Sequence, residues 1–213
     1  MNIVREMKEN GNRSSERVAR FVVEDPGRLS QLLTEVVSES KRVKNAAAKS
    51  ARIISERQPG ILLPQFRFFS DLIHHDDTIL RWIAIDVIGN LSAVDDKGYV
   101  DIKILRELFG LLSNESMITA SHSIDALGKI AQVKARYRRR ITEELRRVEV
   151  IERNKECRNI LPGRVIDSYR RYSSLASKKE RQTMLALATR QRNNRRSSTR
   201  KRAELFVGMF VNS

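Results

Sequence analysis

One cysteine, one tryptophan, four prolines, nine glycines and three histidines are all that 213 residues contain of those types, and each shortage excludes something. Cys157 alone allows no internal disulfide. Few prolines and glycines, with no alternating β-branched runs, leave little room for a sheet and its turns. No basic-then-apolar leader opens the sequence and no long uncharged apolar stretch occurs, so a soluble, cytoplasmic protein is expected. His74 and His75 share a turn and only His122 stands elsewhere, so no nucleophile, base and orienting residue assemble into a triad. Neither a GxxxxGKS-like nor a GxGxxG phosphate loop is present. No cofactor follows from these residues.

What the chain does contain is a helix and its copies. Asp76 and Asp77 stand where a helix N-terminus takes an acceptor side chain and a negative charge. After them Ile79, Leu80, Ile83, Ala84, Val87, Ile88 and Leu91 recur at three- and four-residue steps, which predicts one helix through Leu91. Residues 114–130 lie over this stretch at a constant offset of 39, with Ile85, Asp86 and Gly89 above Ile124, Asp125 and Gly128. Upstream, Val43, Lys44, Ala47, Ala48, Ala51 and Ile54 fall beneath it at an offset of 37. A second amphipathic segment precedes each copy, at 29–37, 65–73 and 102–112. The repeating unit is therefore a helix pair of just under forty residues.

One such pair cannot bury its apolar face alone and must stack on copies of itself. Asp77, Leu80-Arg81, Ala84 and Gly89 resemble the HEAT-repeat pattern of acidic turn, aliphatic-basic pair, small residue and helix-ending glycine. The first copy keeps Val43-Lys44 and Ala47 without a glycine, and the third keeps Ile118, Ser123 and Gly128 with Ala120 in the basic position. The resemblance implies an all-α, right-handed α-solenoid of about five stacked antiparallel helix pairs, a HEAT-like or armadillo-type superhelix. A single domain is expected over 1–213. Residues 1–27 would cap it, 28–133 would form its best-matching repeats, and 134–213 would form divergent basic repeats with a closing helix. Such a pattern specifies fold far better than function.

Several motifs have a structural explanation beside a chemical one. Residues 1–13 read as loosely held polar chain in which Asn2 to Glu9 could add a helical turn, and Ser14-Ser15-Glu16 as the cap of a short helix ended by Asp25-Pro26-Gly27. Phe66, Phe68 and Phe69 read as core. His74-His75-Asp76-Asp77 lacks a third soft ligand at metal-binding spacing and reads as a helix cap, so no metal site is expected. Asp95-Asp96-Lys97-Gly98 reads as a turn. Trp82 and Asp86, four apart on one helical face, are similar in spacing to the tryptophan and carboxylate of HEAT-like alkylpurine DNA glycosylases; that resemblance would make Asp86 catalytic and Trp82 a nucleotide contact. Asp125 repeats Asp86, however, and this favours a ladder of polar residues between stacked repeats.

Charge is distributed unevenly. The net +15 resides entirely beyond Val133, where 23 Lys and Arg face 8 Asp and Glu, while residues 1–133 balance. An asymmetry of this size points to an anionic partner for one end of the chain. Some of the excess has local explanations, since Arg139 and Arg140 precede Glu143 and Glu144 by four and Arg146 precedes Glu149 by three. Arg136, Arg138, Arg147 and Lys155 are less easily explained. Tyr169-Arg170-Arg171-Tyr172 could stack bases and grip phosphate or form an inter-helix seam, on a helix expected to start at Pro162-Gly163. From Arg190 to Arg202 seven cations occur without one acid.

These residues predict a non-enzymatic scaffold that binds a macromolecule. An acidic protein is the favoured partner, a nucleic acid the runner-up, and a membrane surface the least favoured. The expected anionic-partner contacts are Arg136, Arg138, Arg170, Arg171, Arg192, Arg195, Arg196, Arg200, Lys201 and Arg202.

Overall fold

A computed structural model describes residues 2–211. The chain folds as two compact units, Met1–Val100 and Asp101–Ser213. Among the described residues both are helical and neither contains a strand.

The first unit contains α1 (Ile3–Asn10), α2 (Ser15–Glu24), α3 (Leu29–Val36), α4 (Lys41–Arg57), a single turn α5 (Pro59–Leu62), α6 (Phe66–Leu72) and α7 (Thr78–Leu91). The N-terminal segment, expected to be loose with at most a helical turn over Asn2–Glu9, forms a helix over Ile3–Asn10. Asn2 accepts the Val4 and Arg5 N–H groups, and Ile3 and Met7, one turn apart, are fully buried. The sparse apolar content makes this helix faint in the sequence, because Ile3 and Met7 alone of its residues are buried.

Helix α4 is the centre of the unit and packs against α2, α3 and α7. Its Ala46, Ala47, Ala48 and Ala51 are buried, and small side chains of this kind let neighbouring helices approach closely. Helices α4 and α7 run parallel, since Lys44 pairs with Asp77, Arg52 approaches Asp86 at 3.7 Å, and Asn90 donates to Ser55 at 2.9 Å. The start of α7 is as its sequence predicts: the Asp77 side chain accepts the Ile79 N–H. Phe66 and Phe69 are buried, and Phe66 stacks on Tyr99 at 5.4 Å. The Asp95 carboxylate closes the expected turn by accepting the Tyr99 and Val100 N–H groups, with Gly98 at φ 77°.

The second unit contains α8 (Ile102–Leu111), α9 (Met117–Val133), α10 (Ala135–Arg147), α11 (Lys155–Tyr172), α12 (Lys178–Gln191) and α13 (Ser197–Val211). Helices α9, α11 and α13 form one layer, and α10 and α12 pack in the other. Within the first layer the helices are parallel. Ser168 Oγ donates to the Ile124 carbonyl at 3.0 Å, Thr199 Oγ1 donates to the Asn159 carbonyl at 2.7 Å, and Arg202 pairs with Asp167 at 2.8 Å.

Glycines set the spacing of this layer. A methyl group at Gly128 would overlap Ser168 Oγ and stand 3.3 Å from the Ser168 Cα, while one at Gly163 would meet Thr199 Oγ1 at 2.9 Å. Gly128 lies inside α9, so the glycine expected to end the helix is instead the point where α11 approaches it.

Helix α11 begins at Lys155, seven residues before the start expected from Pro162. Asn154 caps it by accepting the Cys157 N–H, and Cys157, Leu161, Val165 and Ile166 carry its buried side through the proline. Pro162 removes its own N–H from the ladder and its ring crowds the carbonyl four residues back, and the surrounding apolar contacts retain the helix there.

Candidate anion-binding site

The residues expected to contact an anion separate into two groups. Four are engaged within the fold. Arg138 donates to the carbonyls of Ala131 and Leu175 at 3.0 and 2.7 Å. Arg171 pairs with Asp125 at 2.6 Å, and Arg202 pairs with Asp167. Arg200 donates to the carbonyls of Asn194 and Arg195 at 2.9 and 3.0 Å. These partners lie either far along the chain or on backbone oxygens, where a search for acids three or four residues away cannot find them.

The rest face outward. Arg136 is exposed and lies 4.6 Å above the Tyr137 ring, and Arg196 reaches Ser198 Oγ at 3.1 Å. Arg170, Arg192, Arg195 and Lys201 are exposed, and no ion-pair or hydrogen-bond partner reaches their side chains among the described residues. The interleaved tyrosines do not join them. Tyr169 and Tyr172 are fully buried, with Tyr169 donating to the Thr142 carbonyl at 2.9 Å and Tyr172 Oη 3.1 Å from Thr142 Oγ1. Their burial pushes both phenols above the ordinary tyrosine range. They are an inter-helix seam and are not available for stacking on bases.

Local pairing along α10 also differs in register from expectation. Arg146 pairs with Glu143 and Arg147 with Glu144, while Glu149 is taken by Arg190 of α12. Arg190 is thereby fixed at two points, and Gln191 donates to the same carboxylate at 2.8 Å.

Beside Arg190 and Gln191 lies a cleft of about 590 Å³ between the first turn of α11 and the connection from α12 to α13. Lys155, Arg158 and Asn159 form one wall, and Asn193, Asn194 and Arg195 the other, with Arg190 and Gln191 beside them. No acidic or aromatic side chain lines it. Lys155, Arg158 and Arg195 have no carboxylate partner among the described residues.

The second wall is held in place. Arg200 ties down the Asn194 and Arg195 carbonyls, Asn194 donates to Gln191 Oε1 at 2.7 Å, and the side-chain oxygen of Asn194 accepts the Arg196 N–H at 2.8 Å. The Thr199–Asn159 bond joins the two walls. The sequence points to Arg195 but leaves Lys155 only among the unexplained cations and gives Arg158, Asn159 and Arg190 no role. The signal that could have found them is the cap residue Asn154, which starts α11 seven residues earlier and brings Lys155 and Arg158 onto a helix N-terminus.

The residues singled out for chemistry elsewhere are accounted for by packing. Asp86 is buried beside Arg52, and Asp125 is held by Lys129 at 2.9 Å as well as by Arg171. His75 Nδ1 accepts the Asp77 N–H at 2.9 Å, so this histidine orders the turn. Among the described residues no group of three His, Cys, Asp or Glu side chains is placed to hold a metal ion, and no helix is long and apolar enough to cross a membrane.

No family model and no curated protein matches the sequence. Solved structures do match. A designed armadillo-repeat protein superposes with a TM-score of 0.65 at 14% identity, over 96% of this chain and 90% of that one. The fold is an all-α repeat solenoid. Two further engineered proteins are similar to this solenoid with TM-scores of 0.61 each. One matches at 15% identity over 96% of this chain and 87% of its own, and the other at 16% over 92% of this chain and 50% of its own. At such identities the likeness establishes the fold, and the HEAT pattern in the sequence is one reading of that repeat.

Proposed function

We propose that this solenoid is a non-enzymatic binding scaffold whose C-terminal unit contacts an anionic macromolecule. Repeat solenoids offer extended surfaces built from stacked units and need no chemical pocket to act through them. The observation that carries the reading is the set of exposed cations left over once internal pairs are assigned: Arg170, Arg192, Arg195 and Lys201 remain without acidic partners among the described residues. Engaged cations such as Arg202 and Arg171 serve packing first, and the surplus is available to a partner. A charge excess confined to one half of the chain steers association of an oppositely charged macromolecule.

The test is a fluorescence-anisotropy titration of the full chain against duplex DNA, single-stranded DNA, RNA and polyglutamate, at low and at moderate salt. The expected result is salt-sensitive binding of at least one of these polyanions, weakened in the Arg192→Ala/Arg195→Ala/Lys201→Ala variant. Failure of every polyanion to bind at low salt would remove the reading.

A further inference from the structure

We infer that the cleft between the first turn of α11 and the α12–α13 connection is a phosphate-backbone site for double-stranded nucleic acid. The inference rests on the anionic-partner reading and names both the place and the ligand.

The lining decides among polyanions. Protein interfaces are anchored by buried aromatic and apolar side chains, with Lys depleted at their centre. This cleft offers two walls that each carry lysine or arginine beside amide side chains, with no aromatic anchor. Single-stranded nucleic acid is held by aromatic side chains on which successive bases stack. The tyrosines nearest in sequence, Tyr169 and Tyr172, are fully buried and hydrogen-bonded to Thr142. A duplex presents its phosphates outward and keeps its bases stacked within, and it is gripped by Arg, Lys, Asn and Gln side chains together with helix N-termini. Lys155, Arg158 and Arg195 with Asn159, Asn193 and Asn194 are such a set.

Geometry adds a second, independent reason. Helices α11 and α13 are parallel, so both present their N-termini at the end where the cleft lies. Their dipoles then favour negative charge at the same place as the unpaired cations. The C-terminus of α12, which would oppose this, has its last carbonyls followed by the Asn194 and Arg195 carbonyls that Arg200 occupies. Glu149, which holds the lining residues Arg190 and Gln191, has its charge paired with the Arg190 guanidinium and accepts a hydrogen bond from the Gln191 amide. Arg200 and Glu149 are thus positioning residues, and Lys155, Arg158 and Arg195 are the contacts.

The experiment compares two triple variants of equal charge change in the full chain. Lys155→Ala/Arg158→Ala/Arg195→Ala removes the cleft cations, and Arg139→Ala/Lys179→Ala/Arg181→Ala removes exposed cations outside it. Affinity for a duplex of about 20 base pairs is measured between roughly 50 and 200 mM salt, the range over which phosphate binding is strongly salt-dependent. Circular dichroism melts confirm that both variants fold.

The cleft variant should lose about tenfold or more in affinity at the lower salt, and its log–log salt slope should shrink by about 2–3, close to one for each phosphate no longer neutralised. The control should move far less. Equal losses in both variants would overturn the cleft while leaving the anionic-partner reading intact. Tighter binding of single strands or of polyglutamate than of duplex would overturn the choice of ligand. Absence of binding to any polyanion would overturn the cleft and the reading together.

Discussion

Arg200 in α13 repeats the role of Arg81 in α7. Each is the fourth residue of its helix, and each guanidinium reaches back six residues to a carbonyl, His75 for Arg81 at 3.0 Å and Asn194 for Arg200 at 2.9 Å. In these two pairs the basic residue is therefore a clamp on the turn that joins the two helices, whereas Lys44, the fourth residue of α4, pairs with Asp77 instead. Arg81→Ala and Arg200→Ala should each lower stability by about 1–3 kcal/mol, because a buried or half-buried carbonyl loses a charged donor. Lysine, a point charge without the fork, should restore only part of it. Arg196→Ala, at an exposed neighbour of Arg200, should change stability by less than about 0.5 kcal/mol. Urea unfolding midpoints of these variants provide the comparison.

This clamp marks how much the sequence conveys. The three-and-four spacing of Leu80, Ala84, Val87 and Leu91 is visible because burial acts on one face of a helix, and the repeat offset follows because each pair must present the same face to the next. Asp77 as a cap is equally visible, since the capped N–H belongs to a residue two positions away. Arg202 meeting Asp167 and Arg190 meeting Glu149 are invisible in the same text, because these partners come from neighbouring helix pairs 35 and 41 residues distant. The cleft belongs to this second kind. Its walls are two turns from different helix pairs, and no periodicity along one helix places Arg158 opposite Arg195. Pro162 misled for a related reason, since a helix boundary read from one residue ignored the buried residues on both sides of it.

Gly128 and Ser168 determine how closely α9 and α11 pack. Gly128→Ala should destabilise the protein by about 1–3 kcal/mol, since the added methyl meets a Cβ at 3.1 Å and a main-chain Cα at 3.3 Å and the backbone must shift. Ser168→Gly in the same chain removes that Cβ and should recover part of the loss, offset by about 1 kcal/mol for a glycine inside a helix. Alone, Ser168→Gly should be destabilising. A double-mutant cycle of denaturant midpoints should therefore show a favourable coupling between the two changes; additive effects would mean that the close approach is not what limits this position.

Tyr172 couples stability to alkaline pH. Its phenol is held above the ordinary value near 10 first by burial, with the nearby Glu180 carboxylate adding to it against the opposing Thr142 hydrogen bond. A group whose folded pKa lies above its unfolded value binds its proton more tightly when folded. Its contribution is complete below pH about 10 and is lost as pH rises toward the folded value. The denaturant midpoint should consequently fall above pH about 10, and more gently in Tyr172→Phe, which has no phenol to ionise. At pH 7 that variant should lose about 1 kcal/mol for its bond to Thr142 Oγ1. A midpoint with the same alkaline dependence in both proteins would assign the effect to other groups.

Asp86 and Asp125 offer the sharpest contrast between structure and chemistry. Burial acts to raise the Asp125 carboxyl, but the ammonium of Lys129 and the guanidinium of Arg171 outweigh it and hold the group below the ordinary carboxylate range. A depressed folded pKa contributes stability above the unfolded value near 3.9, and that contribution disappears as pH falls through the folded value. Asp125→Asn should therefore flatten the acid limb of the stability profile. Because Asp125 and Arg171 are both more than a third exposed, the cost at pH 7 should be below about 1 kcal/mol after solvent screening. Asp86 is more buried and Arg52 stands 3.7 Å away, so Asp86→Asn should cost more than Asp125→Asn. A ladder of ion pairs between stacked helices predicts this order and predicts no difference in chemistry between the variants. If Asp86→Asn were to abolish release of an alkylated purine from duplex DNA while Asp125→Asn retained it, Asp86 would be catalytic and the ladder would not be the reason for its place.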